Sequence, residues 1–160
     1  MNVLLLGGNG QLGPHVVQAL ENSHVLRITD VNDLDTKHEY FSVDSSDVDQ
    51  VVAAAEDMDA IINLSVMRHD RRLAFDVNAR GCYNMMIAAR EHGIERLINT
   101  GPFYAVAGPT YERFDHEIHV DVPHQPGTYL YAITKSLGQE ICTVMASGQG
   151  AYVIHLLFYM

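Results

Sequence analysis

The chain has the length and composition of one ordinary globular domain. Its 160 residues are enough to bury a sizeable core, and 48% of them are hydrophobic while 19% are charged. The formal net charge of −10 makes electrostatic binding to nucleic acid or to anionic membranes unfavourable. We therefore expect a single soluble domain whose partner is a small molecule.

The cysteines and the N-terminus indicate the cellular compartment. Cys82 and Cys142 are isolated in the sequence and form no CxxC motif, so we expect two buried, reduced thiols. The N-terminus lacks a basic segment followed by a long apolar run, which is the pattern of a signal peptide. The apolar stretches 3–6 and 151–160 are too short to span a bilayer. These features predict a cytoplasmic protein.

Strands and helices alternate along the whole sequence. Gapless apolar runs and helical periodicity predict strands at 2–6, 25–30, 40–43, 59–64, 96–100 and 151–158, and helices at 11–22, 46–54, 74–92 and 130–146. Ser46 is the candidate N-cap of the second helix, and 101–127 is a predicted loop. This alternation predicts an α/β fold with a doubly wound parallel sheet, a single-domain Rossmann fold of strand order 3-2-1-4-5-6.

A glycine-rich turn joins the first strand to the first helix. Gly7, Gly10 and Gly13 form a G-x-x-G-x-x-G pattern. In such a turn the first glycine permits a tight bend, the second lets the backbone approach a pyrophosphate, and the third lets the helix pack closely on the strand. The helix N-terminus adds N–H groups and a positive dipole. The pattern predicts a dinucleotide site; the alternative is a turn that needs glycine only for its backbone conformation.

An acidic residue ends the second strand. A carboxylate at Asp30 can accept hydrogen bonds from both ribose hydroxyls of an adenosine, and it repels a 2′-phosphate. Val31 and Asn32 follow, so no basic side chain stands ready for that phosphate. NAD is therefore favoured over NADP, and the alternative is a solvated aspartate at a strand end.

Tyr131 and Lys135 lie four residues apart on the last predicted helix, so both side chains can point into one cleft. An ammonium group near a phenol favours the phenolate and lowers the phenol pKa. Such a pair can exchange a proton with a substrate hydroxyl while NAD carries the hydride. Taken alone, the spacing is more often that of a core tyrosine beside a surface lysine, and the pair gains weight because it follows a dinucleotide turn.

Two other clusters of polar residues have alternative interpretations. His116, His119 and His124, with Asp115 and Asp121, match no metal-site spacing, so we expect no metal. A second cluster follows the fourth strand, where ligands bind in open α/β sheets. It is either a solvated basic turn or a contact for a substrate phosphate, and it consists of Arg68, Arg71 and Arg72.

Several ordered motifs resemble those of the extended short-chain dehydrogenase/reductases, the group of NAD-dependent nucleotide-sugar epimerases and dehydratases. The glycine turn at 7–13, the strand Asp59-Ala-Ile-Ile-Asn-Leu-Ser-Val66, the element Asp76-Val-Asn-Ala-Arg-Gly81 and the segment from Asp121-x-Pro123-x-x-Pro126 to Tyr131-Ala-Ile-Thr-Lys135 carry the resemblance. It covers the whole chain.

The resemblance implies an NAD-dependent oxidoreductase, epimerase or dehydratase whose substrate is a sugar or nucleotide sugar. It implies that Asp44 contacts the adenine and that Asn78 neighbours the cofactor. It also implies a homodimer through the helices at 74–92 and 130–146. The implied cofactor-binding residues are Gly7, Gly10, Gln11, Leu12, Gly13, Asp30, Asp44, Leu64, Ser65, Val66, Asn78, Tyr131 and Lys135.

The sequence departs from the family pattern in two respects. The family presents a Ser or Thr hydroxyl to the substrate after its fifth strand, and that position falls here on Pro102, or on Phe103 if Gly108 sets the alignment. Thr100 or Tyr104 would then supply the hydroxyl. The C-terminal substrate domain of the family is also absent from 1–160, so the chain is either truncated or a naturally short Rossmann protein. A non-catalytic NAD-binding sensor is the alternative function.

Overall fold

The computed structural model describes residues 1–107 and 123–158, and in these ranges six parallel strands form one sheet in the order β3-β2-β1-β4-β5-β6. The strands are β1 (Asn2–Leu6), β2 (Val25–Asp30), β3 (Glu39–Ser42), β4 (Ala60–Asn63), β5 (Arg96–Pro102) and β6 (Tyr152–Phe158). Neighbouring strands are parallel throughout. This arrangement confirms the predicted Rossmann order, which reverses direction between β1 and β4.

Helices follow the strands and cover both faces of the sheet. They are α1 (Gly13–Leu20), α2 (Val48–Ala54), α3 (Arg71–Phe75), α4 (Gly81–His92), α5 (Tyr104–Ala107) and α6 (Leu130–Gln149). Side chains alternate along β1, so Leu4 and Leu6 face α2, α4 and α6, whereas Val3 and Leu5 face α1. Because both faces are covered, the strand is apolar and buried from Val3 to Leu6, as the apolar run predicts.

The helix predicted to begin at Ala74 begins earlier. Asp70 caps α3 by accepting a hydrogen bond from the Leu73 amide at 2.8 Å. A π-helical turn, Asp76–Arg80, then joins α3 directly to α4. The helix ends at Gly93, whose φ of 66° is the left-handed conformation expected of a C-terminal glycine. Apolar periodicity alone did not reveal this earlier start, because the first turn of α3 is arginine-rich.

Two other local predictions were wrong in detail. Asp47, rather than Ser46, caps α2, because its carboxylate accepts hydrogen bonds from the amides of Asp49 and Gln50. The predicted loop 101–127 begins with ordered structure, since β5 continues to Pro102 and α5 follows it. Pro102 can end a strand here because proline lacks only the N–H donor and still accepts through its carbonyl.

Some of the sequence predictions fall on residues 108–122, outside the described part of the chain. These include the positions Gly108, Asp115, His116, His119 and Asp121. Within the described residues, no helix is both long and apolar enough to cross a membrane. The same residues contain no group of three or more His, Cys, Asp or Glu side chains placed to hold a metal ion.

Candidate functional site

The glycine turn lies at the carboxyl edge of the sheet, where it leaves no room for side chains. Gly7 has a φ of 76°, and a Cβ added there would lie 2.7 Å from the backbone of Ser65. A Cβ on Gly13 would overlap the carbonyl oxygen of Gly8. The turn after β1 thus packs directly against the turn after β4 and against the start of α1. Gly13 therefore allows the close packing of helix on strand that the pattern predicts for its third glycine, and the approach of Gly10 to a pyrophosphate stays a prediction.

The start of α1 fits the pyrophosphate of a dinucleotide. Leu12 is the N-cap residue of this helix, and within the described chain no side chain caps its first turn. Gly10 and Gly13 donate their amides to turns inside the loop, at 3.3 and 3.2 Å. A helix N-terminus without a side-chain cap attracts an anion through its N–H groups and its dipole.

Asp30 lines a cavity of about 240 Å³, together with Gly7, Gly10 and Asp44. Its carboxylate accepts hydrogen bonds from the backbone amides of Asn9 and Asn32, each at 3.0 Å. These bonds hold the carboxylate at the end of β2. An oxygen acceptor fixed there fits a ribose diol, as the sequence predicted.

Asp44 lies across the same cavity, after β3. Its carboxylate accepts a hydrogen bond from the Ser46 amide at 2.8 Å, and its own amide donates to Gln50 at 2.9 Å. Val43, Ser45 and Val66 complete this part of the wall. The mixture of an acid with apolar side chains fits an adenine ring with an exocyclic amine.

A second cavity, of about 220 Å³, lies between the glycine turn and α6. Tyr131 and Lys135 line it, so the structure brings the predicted pair to the predicted turn. The two cavities share lining residues and are therefore adjacent. The shared residues are Gly10, Leu64 and Val66. A dinucleotide bound at Asp30 can extend over the glycine turn towards Tyr131.

Lys135 is buried, with only 1% of its surface exposed. Its Nζ donates a hydrogen bond to the carbonyl oxygen of Ser65 at 2.7 Å, which links α6 to the turn after β4. Burial lowers the pKa of Lys135, because a charged ammonium loses its hydration there.

Tyr131 is also buried, and burial raises the pKa of its phenol. The main opposing influence is Arg68, whose guanidinium lowers that pKa by charge and hydrogen bonding and lies 5.3 Å from the centre of the tyrosine ring. The sequence also predicts that the Lys135 ammonium lowers this pKa, and this stays a prediction; in the structure Lys135 Nζ donates to the Ser65 carbonyl oxygen.

Asn78 does not line either of these two cavities. Its amide joins two segments instead: Oδ1 accepts from the Met67 amide at 3.0 Å, and Nδ2 donates to the Met67 carbonyl and to Thr134 Oγ1 at 2.6 and 2.9 Å. The residue lies in the π-helical turn, which directs it between the loop after β4 and α6. Its geometry is that of a support for the site.

The three positions considered for a substrate-facing hydroxyl differ in their surroundings. Pro102 is buried and lines the cavity beside Tyr131, where it offers no side-chain donor. Thr100 lines the same cavity, but its hydroxyl donates to the Asn63 carbonyl at 2.8 Å. The Tyr104 ring packs edge-on against Tyr131 at 6.0 Å.

Three supporting residues were not assigned to the site from the sequence. Arg68 was identified only as part of a basic turn, and the strand end before it was the available signal. Asn9 lies inside the glycine turn, where its amide holds Asp30. Thr134 lies in the segment Tyr131-Ala-Ile-Thr-Lys135 that carries the resemblance, but the spacing does not reveal its bond to Asn78, which is 56 residues away.

Curated proteins of different activities are similar to this chain. The chain is 28% identical to a uronate dehydrogenase of Pseudomonas syringae pv. tomato over 148 residues, which are 88% of this chain and 52% of the relative. It is 30% identical to sterol demethylase protein B of Methylococcus capsulatus, covering 88% of this chain and 45% of that protein. The chain thus spans about half the length of the curated relatives it matches.

Solved structures share the fold. A short-chain dehydrogenase/reductase superfamily protein from Agrobacterium tumefaciens with bound NAD superposes with a TM-score of 0.88 at 23% identity, over 99% of this chain and 49% of the other. UDP-glucose 4-epimerase of Thermus thermophilus in complex with NAD gives 0.85 at 23% identity, over 98% and 54%. The sequence model of the NAD-dependent epimerase/dehydratase family matches residues 3–159. The chain therefore belongs to this family, whose cofactor is NAD.

Proposed function

We propose that this chain is the cofactor-binding half of an NAD-dependent enzyme that oxidises or reduces a sugar-like hydroxyl or carbonyl. One observation carries the proposal: Tyr131 and Lys135 line the same cavity as Gly10, Gln11 and Leu12 of the glycine turn. A proton-transfer group thus stands beside the expected path of the cofactor.

NAD supplies the hydride acceptor when it is bound. The protein has three tasks around it: to hold the pyrophosphate at the glycine turn, to hold the ribose at Asp30, and to move a proton at the substrate oxygen. In the oxidation, the phenolate oxygen of Tyr131 takes the hydroxyl proton while the carbon gives up its hydride, so that a carbonyl forms. In the reduction, the phenol returns the proton to the carbonyl oxygen.

The remaining cofactor residues have supporting roles in this proposal. Leu64, Ser65 and Val66 would contact the bound cofactor, since all three line one or both cavities. Lys135, which reaches the Ser65 carbonyl, is also placed to approach the nicotinamide ribose. Asn78 fixes the loop that carries these residues.

Substrate selection is tested directly with candidates drawn from the named relatives. Purified protein with NAD is mixed with a free uronate, a neutral aldose or a UDP-hexose, and NADH formation is followed by absorbance; a UDP-hexose reaction is also analysed for its epimer. Tyr131→Phe should reduce turnover by roughly 10²–10⁴-fold while the protein still binds NAD. Unchanged turnover in Tyr131→Phe would refute the proton-transfer role.

We further propose that residues 1–160 alone turn over these substrates slowly. A substrate held only by the cofactor half lacks the remote contacts that position it for reaction. A form extended by a substrate domain should therefore be faster. Normal turnover by 1–160 with any nucleotide sugar would contradict this expectation.

A non-catalytic NAD sensor is the second candidate function. Pro102 supports it, because this side chain offers no hydrogen bond to a substrate oxygen in the cavity beside Tyr131. If the protein is a sensor, Tyr131→Phe should bind NAD and NADH as tightly as the wild type does. No form of the protein should then show turnover. Increased turnover in Pro102→Ser would instead favour an enzyme that lacks one donor.

Two broader expectations accompany the proposal. A homodimer through helices 74–92 and 130–146 is supported by apolar side chains exposed on both of them: Phe75, Tyr83, Leu137 and Val144. Light scattering on the purified protein measures the mass directly. A cytoplasmic location is supported by two buried thiols, Cys82 and Cys142, which remain unpaired.

A further inference from the structure

We propose that Asn63 is a positioning residue of this site: its side chain holds the backbone amide of Ser65, and the carbonyl oxygen of Ser65 is thereby kept in place to bind the ammonium group of Lys135. The inference rests on the proposed function, because Lys135 acts there on the cofactor and the substrate. Asn63 itself lines neither of the two cavities. Its effect on bound molecules therefore passes through other residues.

The turn after β4 carries the inference. Asn63 is the last residue of β4, and its Oδ1 accepts a hydrogen bond from the Ser65 amide at 3.1 Å. This bond from a side chain to the amide two residues further on closes an Asx-turn, which sets the direction in which the chain leaves the strand. The carbonyl oxygen of the same Ser65 accepts from Lys135 Nζ at 2.7 Å. The backbone of a single residue thus connects the Asn63 bond to the Lys135 bond.

The orientation of the Asn63 amide follows from its partners. A backbone amide can only donate, so the oxygen of Asn63 faces Ser65 and the nitrogen faces the other way. That nitrogen, Nδ2, donates to Asn99 Oδ1 at 3.0 Å and to Cys82 Sγ at 3.5 Å. Only 1% of the Asn63 surface is exposed, so a side chain that rotated away from Ser65 would break these bonds without gaining water.

The end of β4 gives the turn a fixed base. Asn63 and Asn99 are neighbours in the register of β4 and β5, and their side chains are bonded to each other. The main-chain carbonyl of Asn63 also accepts from the Thr100 hydroxyl at 2.8 Å. Side chain and backbone of Asn63 are thus both attached to β5, and from this base Asn63 holds Ser65.

Lys135 depends on the Ser65 carbonyl for its hydrogen bonding. Within residues 1–107 and 123–158, this carbonyl is the one hydrogen-bond partner of Lys135 Nζ, and only 1% of the lysine surface is exposed. A buried ammonium loses its hydration and needs an acceptor in its place. A displaced Ser65 carbonyl would therefore either move the ammonium or leave it without its acceptor.

The test compares two substitutions of nearly the same shape at residue 63. Asn63→Thr keeps a side-chain oxygen that can accept from the amide two residues further on, although more weakly than asparagine does. Asn63→Val has no such oxygen. Both variants lose the bond to Asn99, so a difference between them reports the bond to Ser65.

The first measurement is the ionisation of Lys135, which requires no turnover. Lysine is labelled isotopically at Cε, the Lys135 NMR signal is assigned with Lys135→Met, and its chemical shift is followed with pH in the folded protein. Burial lowers the pKa of Lys135, and an acceptor bonded to the ammonium opposes this by favouring the charged form. In Asn63→Val the transition should therefore lie at lower pH than in Asn63→Thr, by roughly half a unit or more.

The other charged groups near Lys135 are the same in both variants. The thiols of Cys82 and Cys142, on α4 and α6, favour the charged ammonium, and the guanidinium of Arg68 after β4 disfavours it. Because none of these groups is substituted, they do not account for a difference between Asn63→Thr and Asn63→Val.

NADH titration is the second measurement. In the proposed function Lys135 approaches the nicotinamide ribose, so Asn63→Val should bind NADH about threefold or more weakly than Asn63→Thr. Thr29→Val is the matched control, because it removes a buried bond from the Thr29 hydroxyl to the Leu5 carbonyl, 3.0 Å long, between β2 and β1. It should keep the Lys135 transition and the NADH affinity of the wild type.

Equal Lys135 transitions in Asn63→Thr and Asn63→Val would overturn the proposal, and so would a shift of the same size in Thr29→Val. If Asn63→Val does not fold, Asn63→Ser and Asn63→Ala provide the same comparison with smaller side chains. A wild-type protein that binds NADH and turns over no substrate contradicts only the proposed function, since neither measurement needs turnover.

Discussion

The two sides of the site are held by contacts between residues that lie at very different distances along the chain. The nucleotide side contains the cavity beside Asp30, and the catalytic side contains the cavity beside Tyr131. On the nucleotide side, Asp30 and Asp44 each accept a hydrogen bond from the amide two residues further along the chain. On the catalytic side, Lys135 reaches Ser65 across 70 residues, and Asn78 reaches Thr134 across 56. The carboxylates of the nucleotide side are thus held by local turns, together with the Asn9 amide that reaches Asp30 across 21 residues, whereas the catalytic side is held by the packing of distant segments.

This difference has consequences for how each half responds to change. A local turn forms wherever its few residues permit it. A substitution that causes a steric clash there should therefore disrupt the turn completely. A network between distant segments depends on the register of β4, the π-helical turn and α6 together. Substitutions there should loosen the site without abolishing the fold.

The largest effect is expected from a substitution that adds a side chain to the glycine turn. In Gly13→Ala the new Cβ would overlap the Gly8 carbonyl, so α1 must shift away from β1. We expect a loss of about 3 kcal/mol in the free energy of unfolding, together with loss of NAD binding. Urea unfolding and NADH titration measure the two effects.

Gly148→Ala is the matched control for that substitution. Gly148 lies near the end of α6, where an added Cβ would meet nothing within 4 Å. It should raise the free energy of unfolding by about 0.5–1 kcal/mol, because alanine loses less conformational freedom than glycine in a helix. Equal stability of Gly13→Ala and Gly148→Ala would show that the turn is not tightly packed.

Asn78→Ala tests the long-range network on the catalytic side. It leaves the Met67 amide and carbonyl without their buried side-chain partner. We expect a loss of about 2–3 kcal/mol, since each buried polar group left unpaired costs about 1–3 kcal/mol. Thr134→Val removes the hydroxyl that accepts from Asn78 and that also donates to the Leu130 and Tyr131 carbonyls within α6, and it should cost about 1 kcal/mol. If both variants are within error of the wild type, the network does not stabilise the fold.

Asp30→Ala tests the nucleotide side without changing the fold. The ribose loses its acceptor while the repulsion of a 2′-phosphate disappears, so the preference for NAD over NADP should fall by about tenfold. Titrating the variant with both cofactors gives the ratio. Asp33→Ala removes the same charge from the same loop at a residue that does not line the cavity, and it should keep the wild-type preference.

The smallest effect concerns pH and the buried ammonium. The pKa of Lys135 is lower in the folded protein than its ordinary value, so between the two values the unfolded chain binds more protons. Stability from this group therefore rises with pH across that window, up to the unfolded pKa of about 10.4, with a slope below about 1.4 kcal/mol per pH unit. Unfolding of Lys135→Met at several alkaline pH values should lack this rise.

Lys37→Met provides the control for the pH experiment. Lys37 is exposed and pairs with Glu21 at the surface, so its removal leaves the Lys135 contribution intact. The Lys37→Met variant should keep the wild-type rise in stability. A rise of the same size in Lys135→Met would mean that another group causes it.

The sequence by itself determined the fold and predicted the nucleotide side of the site. The gapless run at Asn2–Leu6, the three glycines of the turn and Asp30 all lie within the first 30 residues. Each depends on the local backbone conformation, or on the burial pattern of a strand or a helix. Both are visible in the order of the residues. The strand order followed from the alternation of strands and helices, because parallel strands joined by right-handed crossovers have few arrangements.

Only the tertiary structure decided which residues contact one another on the catalytic side. The sequence placed Tyr131 and Lys135 on one helical face, and the structure then directed Lys135 to Ser65 and brought Arg68 over the Tyr131 ring. It also turned Asn78 away from both cavities towards Thr134. A side chain's partner depends on which distant segment packs against it, and burial changes its pKa only once that packing exists. Neither is encoded in the spacing of the residues themselves.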